Sequence, residues 1–357
     1  MDLSTPDETL LAISKPSLAE LGDLALAEGD TLVLSAGFED RASAFLNSAL
    51  ASGRKFRVIV IEYLPHNPEN RIAAALAAAA GRGIAVDVLT YDRENPIGFG
   101  DLLLESLGNR SGRTFIDISG MSRLLIVQTL VALHESDESL QRTFVIYTEA
   151  AEYPPTLEVA QEALRAAEEN PAEPIHFLAS GVFEVTVLPE LSAVGFASSP
   201  TRLIVFPTLD RVHLTALLTE LQPAQLTVIE GQPPSPANQW RPCIIGQINE
   251  LDRLQTQTGA EREMTSTLDY RDTLDRLLRL YAKHGIRERI VLSPTGSKMQ
   301  SVAVGLFRAW IRDVQIVYPT SSGFCSAESY TVGIGPTHIL DLAPFASRMS
   351  KSIRAVA

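Results

Sequence analysis

The chain has 357 residues, of which 45% are hydrophobic and 20% charged, and this balance excludes a wholly disordered protein. At about 150 residues per domain, the length predicts two domains whose cores are large enough to fold without disulfides. The formal net charge of −13 disfavours a broad nucleic-acid surface, because such surfaces depend on clustered lysine and arginine side chains.

The first half of the chain alternates short β-branched runs with helical patterns. These runs predict strands at about 31–36, 56–63, 84–91, 113–118 and 143–148. The runs VIVIE and FVIY are apolar on both faces, as expected when helices cover both sides of a parallel sheet. The pattern therefore predicts a doubly wound α/β unit of the Rossmann-like kind.

The second half repeats the first. The segment VIEYLPHNPEN from Val60 is echoed by VIEGQPPSPAN from Val228, with the shared pattern V-I-E-x-x-P-x-x-P-x-N. FIDISGMSRLLIVQTLVAL from Phe115 is echoed by IVLSPTGSKMQSVAVGLF from Ile290. Such self-similarity indicates two tandem copies of one structural unit.

The repeat predicts a domain division at 198/199. The first unit spans 1–198 and contains an extra acidic helix near 151–174, and the second unit spans 199–357. Late segments near 176–188 and 328–341 are expected to add a hairpin or an edge strand to each sheet.

Repeated polar residues follow the carboxyl ends of the first two predicted strands in each unit. Ligands bind at this edge of a doubly wound sheet, so these residues are candidate ligand contacts. They are Asp40, Arg41, Glu62, Asn70 and Arg71 in the first half, and Asp210, Arg211, Glu230, Asn238 and Arg241 in the second half.

The loop between the fourth strand and its helix offers a second set of candidates. It carries Ser119, Gly120, Ser122 and Arg123 in the first half, and Thr295, Gly296, Ser297 and Lys298 in the second half. Glycine lets backbone amides approach a phosphate, hydroxyls add donors, and the cation completes an anion cradle. Because serine and threonine also cap helices, helix capping stands as the alternative. At the end of the next strand, Tyr147, Thr148 and Tyr318 are expected to contact a base.

Other signals are weaker. Cys243 and Cys325 are too few for a disulfide framework or a four-cysteine zinc site, and we expect both to be reduced, buried thiols. The six histidines lack zinc-ligand spacing, and neither a Walker A loop nor a dinucleotide fingerprint is present, so neither a metal nor a cofactor is predicted. The N-terminus lacks the basic stretch of a signal peptide, and no apolar run reaches the ~18 residues of a membrane span. We therefore expect a cytoplasmic protein without membrane contact.

The segment LSPTGSKMQSVAVGLF resembles the T-G-G-T-K-x-M loop–helix signature of CARF domains. DISGMSRLLIVQTLVAL resembles the same signature, with Arg123 in place of the lysine. CARF domains are Rossmann-like sensors of cyclic oligoadenylate in CRISPR-linked and related antiviral systems, and they act as dimers. The resemblance therefore implies an internal pseudo-dimer in one chain, as in fused CARF and SAVED-type sensors.

Two functions follow from these patterns. The first is a sensor that binds an anionic nucleotide second messenger, a cyclic oligonucleotide, in bacterial antiviral defence and signals to a separately encoded effector protein, with no catalytic residues of its own. The alternative is a metal-independent phosphodiesterase with Asp40, Asp210, Glu62 or Glu230 as acid or base. Arg279 and His284 fit the R-x4-H spacing of HEPN ribonucleases, but their place at a helix end favours helix capping.

Overall fold

The structure is a computed structural model that describes residues 6–22, 24–35, 37–108, 111–136, 139–170, 175, 177–179, 181–193, 199–323 and 330–356. The chain divides into two compact units. Unit 1 comprises Met1–Tyr153 together with Thr331–Ala357, and unit 2 comprises Pro154–Tyr330.

The strands are given in chain order. They are β1 (Ala19–Glu20), β2 (Thr31–Ser35), β3 (Arg57–Leu64), β4 (Ala85–Asp92), β5 (Thr114–Asp117), β6 (Thr143–Thr148), β7 (Val182–Val187), β8 (Thr201–Val205), β9 (Gln225–Gln232), β10 (Glu261–Ser266), β11 (Arg289–Ser293), β12 (Gln315–Ser321) and β13 (Thr337–Asp341).

The helices alternate with these strands. They are α1 (Pro6–Ala12), α2 (Ala44–Ala51), α3 (Ile72–Ala80), α4 (Phe99–Leu107), α5 (Arg123–Glu135), α6 (Leu157–Glu169), α7 (Arg211–Leu221), α8 (Arg241–Ile248), α9 (Leu251–Thr258), α10 (Tyr270–His284), α11 (Lys298–Trp310) and α12 (Ala343–Val356). None of the described helices combines the length and the apolar character needed to cross a membrane.

Unit 1 contains a sheet with the strand order β1-β13-β6-β5-β2-β3-β4. Strands β2 to β6 are parallel, whereas β13 runs antiparallel to β6, and β1 runs antiparallel to β13. Apolar side chains of β2 and β3, such as Leu34 and Val60, pack in one cluster with Phe45 and Leu46 of α2. Each such buried side chain stabilises the fold by about 1.5–3 kcal/mol.

Unit 2 contains a sheet with the strand order β10-β9-β8-β11-β12-β7. Strands β8 to β12 are parallel, and β7 runs antiparallel to β12. Apart from β1, every strand of unit 1 has a counterpart in the same place of this sheet. The prediction of an α/β protein with two similar Rossmann-like units is therefore confirmed.

The two repeats exchange the antiparallel strands that pair with β6 and β12. Strand β7 follows the first repeat in sequence but pairs with β12, and β13 follows the second repeat but pairs with β6. The extra helix α6 also lies in unit 2, where Ala160 packs with Ile244 and Ile248 of α8. The predicted division at 198/199 therefore does not coincide with the boundaries of the compact units. An antiparallel strand can pair with the free edge of either sheet, and the repeated sequence does not indicate which sheet it joins.

Candidate functional site

The strand order of each sheet reverses between two central strands. In unit 1 this switch point lies between β2 and β5, and in unit 2 it lies between β8 and β11. Doubly wound sheets bind their ligands at this point, beyond the carboxyl ends of the strands. The two loops that carry the predicted serine, threonine and glycine residues start there, so the fold supports their choice as the centre of a candidate site.

In unit 1 the loop after β5 packs closely on the end of β2. A Cβ atom added at Gly120 would overlap the carbonyl oxygen of Ser35 and lie 2.9 Å from its Oγ. Only glycine fits this close approach of two backbones. The side chain of Ser35 is fully buried, and its hydroxyl has no hydrogen-bond partner among the described residues.

The hydroxyls of this loop bind the protein itself. Ser122 is the N-cap of α5, and its Oγ accepts a 3.3 Å hydrogen bond from the backbone amide of Leu125. Ser119 Oγ accepts a 2.8 Å hydrogen bond from the amide of Thr148, and the amide of Ser122 donates to the hydroxyl of Tyr63 at 2.7 Å. The capping alternative therefore describes Ser122, and Ser119 links the ends of β5 and β6.

The corresponding loop of unit 2 has the same construction. Ser297 is the N-cap of α11 and forms a capping box, in which its amide donates to Gln300 Oε1 at 2.8 Å and its Oγ accepts from the Gln300 amide at 3.1 Å. Thr295 Oγ1 donates to the carbonyl oxygen of Phe206 at 2.6 Å. A Cβ atom added at Gly296 would overlap Gln300 Oε1, so a larger residue here would displace the Gln300 side chain from the capping box.

A cation opens each helix after these loops. Arg123 is the first residue of α5 and Lys298 is the first residue of α11, and both are partly exposed. A helix N-terminus with a basic side chain in its first turn attracts anions through the backbone amides and the added charge. We refer to Ser119–Arg123 and Thr295–Lys298 as the two corner loops.

Arg41 has a role that the sequence did not indicate. Its side chain is only 5% exposed, and its Nε and Nη2 donate to Glu39 Oε2 at 2.9 and 2.7 Å. Its Nη1 donates to the Tyr147 hydroxyl and to the Thr148 carbonyl oxygen, both at 3.2 Å. The Tyr153 hydroxyl lies 3.4 Å from the same nitrogen, and burial raises the pKa of Tyr153. Arg41 is thus held within the protein rather than directed at a ligand.

The aspartate of the repeated Asp-Arg pair anchors, in each unit, the segment that leads into the exchanged antiparallel strand. In unit 1, Asp40 Oδ2 accepts from the amide of Gly333 at 3.2 Å. In unit 2, Asp210 Oδ1 accepts from the amides of Phe177 and Leu178, both at 3.1 Å. Gly333 precedes β13, and the other two residues precede β7. One repeated carboxylate therefore fixes the equivalent backbone segment in each unit.

Sequence reasoning missed the partners of Arg41 and Asp40. Glu39 Oε2 also accepts from Thr331 Oγ1 at 2.7 Å, so the adjacent residues Glu39 and Asp40 both bind the returning chain. The only sequence signal was the position of Glu39 directly before the repeated Asp40-Arg41 pair. Tyr153 and Thr331 carry no pattern that identifies them.

The remaining candidates form separate contacts. Arg71 pairs with Asp40 at 2.5 Å, and Glu62 lies 3.3 Å from His66. The amide of Asn70 donates to the Asn67 carbonyl at 3.0 Å. In unit 2, Arg211 pairs with Glu250, Arg262 binds Glu230 through two nitrogens at 2.8 and 2.9 Å, and Arg241 Nε donates to Asn238 Oδ1 at 3.0 Å. Tyr318 lies opposite Thr186 where β12 pairs with β7.

These contacts bear on the alternative enzyme. Asp40 and Glu230 are paired with arginines, and Asp210 is 1% exposed. The hydrogen bond from Arg71, together with the amide of Gly333, lowers the pKa of Asp40. A carboxyl group with a lowered pKa is a poor general acid at neutral pH. In the part of the chain that is described, no three or more His, Cys, Asp or Glu side chains form a group suited to a metal ion.

The ribonuclease-like histidine and the cysteines were the other candidates. His284 ends α10, where its Nε2 lies 3.1 Å from Glu261, so it takes part in an ion network. Cys243 is exposed, which corrects the expectation of a buried thiol, because α8 packs into the core through Ile244 and Ile248 instead. Cys325 lies outside the described residues.

Comparisons with known proteins identify no family. Neither a protein-family model nor a curated protein matches the chain. Among solved structures, the cytoplasmic domain of a prokaryotic cation chloride cotransporter aligns with 84% of this chain and 98% of its own, at 10% identity and a TM-score of 0.23. A structure described as AtPrR2 in apo form aligns with 72% of this chain and 86% of its own, at 13% identity and a TM-score of 0.24. These scores are too low to assign a function by likeness.

Proposed function

We propose that the chain is a sensor that binds an anionic nucleotide at its corner loops. The ligand we propose is a cyclic oligonucleotide second messenger of a bacterial antiviral system, and the signal passes to a separately encoded effector. The observation that carries this proposal is the repetition of one construction at both switch points: a closely packed glycine, a serine N-cap, and a cation that opens a helix of 13 residues.

The environment of the nearby hydroxyls decides which groups can contact an anion at this place. Ser35 and Ser293 end central strands at the two switch points, both side chains are fully buried, and neither hydroxyl has a partner among the described residues. The hydroxyls of Ser119, Ser122, Thr295 and Ser297 are bound within the protein, as described above. The proposed phosphate contacts are therefore the helix amides and the side chains of Arg123 and Lys298.

The repeated acidic residues do not belong to this proposed contact surface. Asp40 and Asp210 each fix a backbone segment, which explains their repetition without a ligand. Carboxylates that bind backbone amides are not positioned for catalysis, because a general acid or base must reach the reacting group. This argues for binding rather than catalysis at the corner loops.

The test is a thermal-shift panel of cyclic and linear oligonucleotides on the intact chain, followed by titration of any ligand that raises the midpoint. We expect Arg123→Ala and Lys298→Ala each to weaken binding by about 1.5–3 kcal/mol, the value of a charge-assisted hydrogen bond. The matched control is Arg165→Ala, which removes an arginine on α6 whose side chain is 66% exposed and pairs with Glu162. Equal affinity in all three variants would show that the corner loops do not bind the phosphate.

A further inference from the structure

Strand β4 ends the sheet of unit 1, and one side of its backbone faces no other described strand. It pairs with β3 over its whole length. Just beyond the strand, the amide of Arg93 donates to the carbonyl oxygen of Leu64 on β3, at 2.9 Å. Because the peptide groups of a strand point to alternate sides, those of Val86, Val88 and Thr90 point away from β3. This open edge can form hydrogen bonds with a further strand.

The surface beside this edge is apolar. Val86 packs against the core cluster that contains Ala75 and Ala79 of α3. Val88 is two residues further along β4, so it lies on the same face, where it is 45% exposed. Helix α3 consists of seven alanines, one leucine and one isoleucine. Four of the alanines are exposed: Ala73, Ala74, Ala77 and Ala80. A helix that is apolar all round is normally covered on every side, so this surface is suited to a further protein contact.

The repeat offers a comparison with the equivalent edge strand of unit 2. By the register of the two sheets, Val88 of β4 occupies the position of Arg262 in β10, where the next residue is Glu263. Both charged side chains form ion pairs, Arg262 with Glu230 at 2.8 Å and Glu263 with Arg276 at 2.7 Å. Charged side chains on an edge strand oppose pairing with another chain. The edge of unit 2 is therefore protected, whereas β4 has valine and leucine at the same two positions.

The charges at the two ends of β4 complement each other. Arg82 precedes the strand, Lys55 precedes its neighbour β3, and both side chains are exposed. The strand ends at Asp92 and is followed by Arg93 and Glu94, so this end has one more carboxylate than arginine. When two copies of β4 run antiparallel, the basic start of each lies beside the acidic end of the other. The charges therefore favour a second copy of the chain as the occupant of this edge.

We propose that the edge of β4 is a homodimer interface, at which two copies of the strand pair antiparallel and join the sheets of unit 1 across a two-fold axis. An axis at Val88 places this valine opposite its own copy. It also places Asp87 opposite Leu89, which keeps the two Asp87 carboxylates apart. The contact is isologous and closed, so it produces a dimer and not a filament. It involves no residue of a corner loop and is independent of the proposed nucleotide function.

The test is sedimentation equilibrium of the intact chain over a wide range of concentrations. We expect a monomer–dimer equilibrium. Val88→Lys places two lysine side chains directly opposite each other and should raise the dissociation constant of the dimer by about tenfold or more. The matched control is Met264→Lys, which adds the same charge at a side chain of β10 that is 46% exposed and should leave the dissociation constant unchanged. A monomer at every concentration, or an equally strong dimer in Val88→Lys, would overturn the proposal.

Hydrogen–deuterium exchange of the unmodified chain tests the same edge without a substitution. The outward amides of Val86, Val88 and Thr90 should exchange more slowly as the protein concentration rises, because they gain hydrogen bonds across the axis. Residues 261–266 of β10 are the control, and their exchange should not depend on concentration. If the chain dimerised while exchange in residues 85–92 stayed constant, the dimer would use another surface and the proposal would be wrong.

Discussion

Arg41 offers the strongest test of the division between structural and ligand-binding residues. The change Arg41→Ala removes a guanidinium whose side chain is 5% exposed and leaves the carboxylate of Glu39, 8% exposed, without its charged partner. Loss of one partner of a buried ion pair costs about 3–5 kcal/mol. We expect a loss of that size from unit 1, because the hydrogen bonds to Tyr147 and Thr148 disappear as well.

Hydrogen–deuterium exchange is the appropriate assay because it reports the loss locally. Glu39 binds Thr331, so exchange should rise most in residues 331–341, which lead into and form β13. The repeat counterpart Arg211→Ala is the control, since that side chain is 49% exposed and its ion pair is worth about 0–1 kcal/mol. If Arg41→Ala left exchange of this segment unchanged while ligand affinity fell, our interpretation of Arg41 would be refuted.

Further predictions concern the packing of unit 1 and the response of unit 2 to acid. Gly120→Ala should destabilise the chain by about 1–3 kcal/mol in urea unfolding, because the added methyl group meets backbone, whereas Gly22→Ala meets nothing within 4 Å and should be neutral. The hydrogen bond from Arg271 lowers the pKa of Asp269, so its stabilisation is present above the unfolded pKa of ~3.9 and is lost as the pH falls through the lower folded value. Arg271→Ala should therefore reduce the loss of stability measured between neutral pH and pH 3; an unchanged pH profile would contradict this.

Much of the fold was predictable because its signals are local. The apolar β-branched runs placed the strands now seen at Thr31–Ser35 and Thr143–Thr148 within a residue or two. The repeated V-I-E-x-x-P pattern identified two equivalent units, because the pattern lies in β3 and in β9, which occupy the same place in their sheets. The exchange of β7 and β13 was not predictable. Either strand can form hydrogen bonds with β6 or with β12, and no local sequence pattern favours one of these pairings.

The candidate site shows the same limit. Polar residues after a strand can bind a ligand, but they can equally form hydrogen bonds with another segment of the protein backbone. The same donors and acceptors serve both purposes, so the sequence alone does not distinguish them. Asp40 and Asp210 accept amides of such segments, and Arg41 donates to Glu39 and Thr148. A sequence records that these residues recur, whereas only the three-dimensional path of the chain shows what they contact. The corner loops were predicted correctly as loop–helix junctions because serine caps and glycine are local signals.

The central claim is that the chain binds a nucleotide and does not consume it. The most direct measurement is calorimetric titration of the intact chain with cyclic and linear oligonucleotides of several sizes and bases, with chromatography of the nucleotide after prolonged incubation. The account predicts saturable binding of at least one cyclic oligonucleotide, recovery of that nucleotide intact, and weaker binding in Arg123→Ala and Lys298→Ala. Absence of binding to every cyclic and linear nucleotide tested, or recovery of a cleaved product, would contradict it.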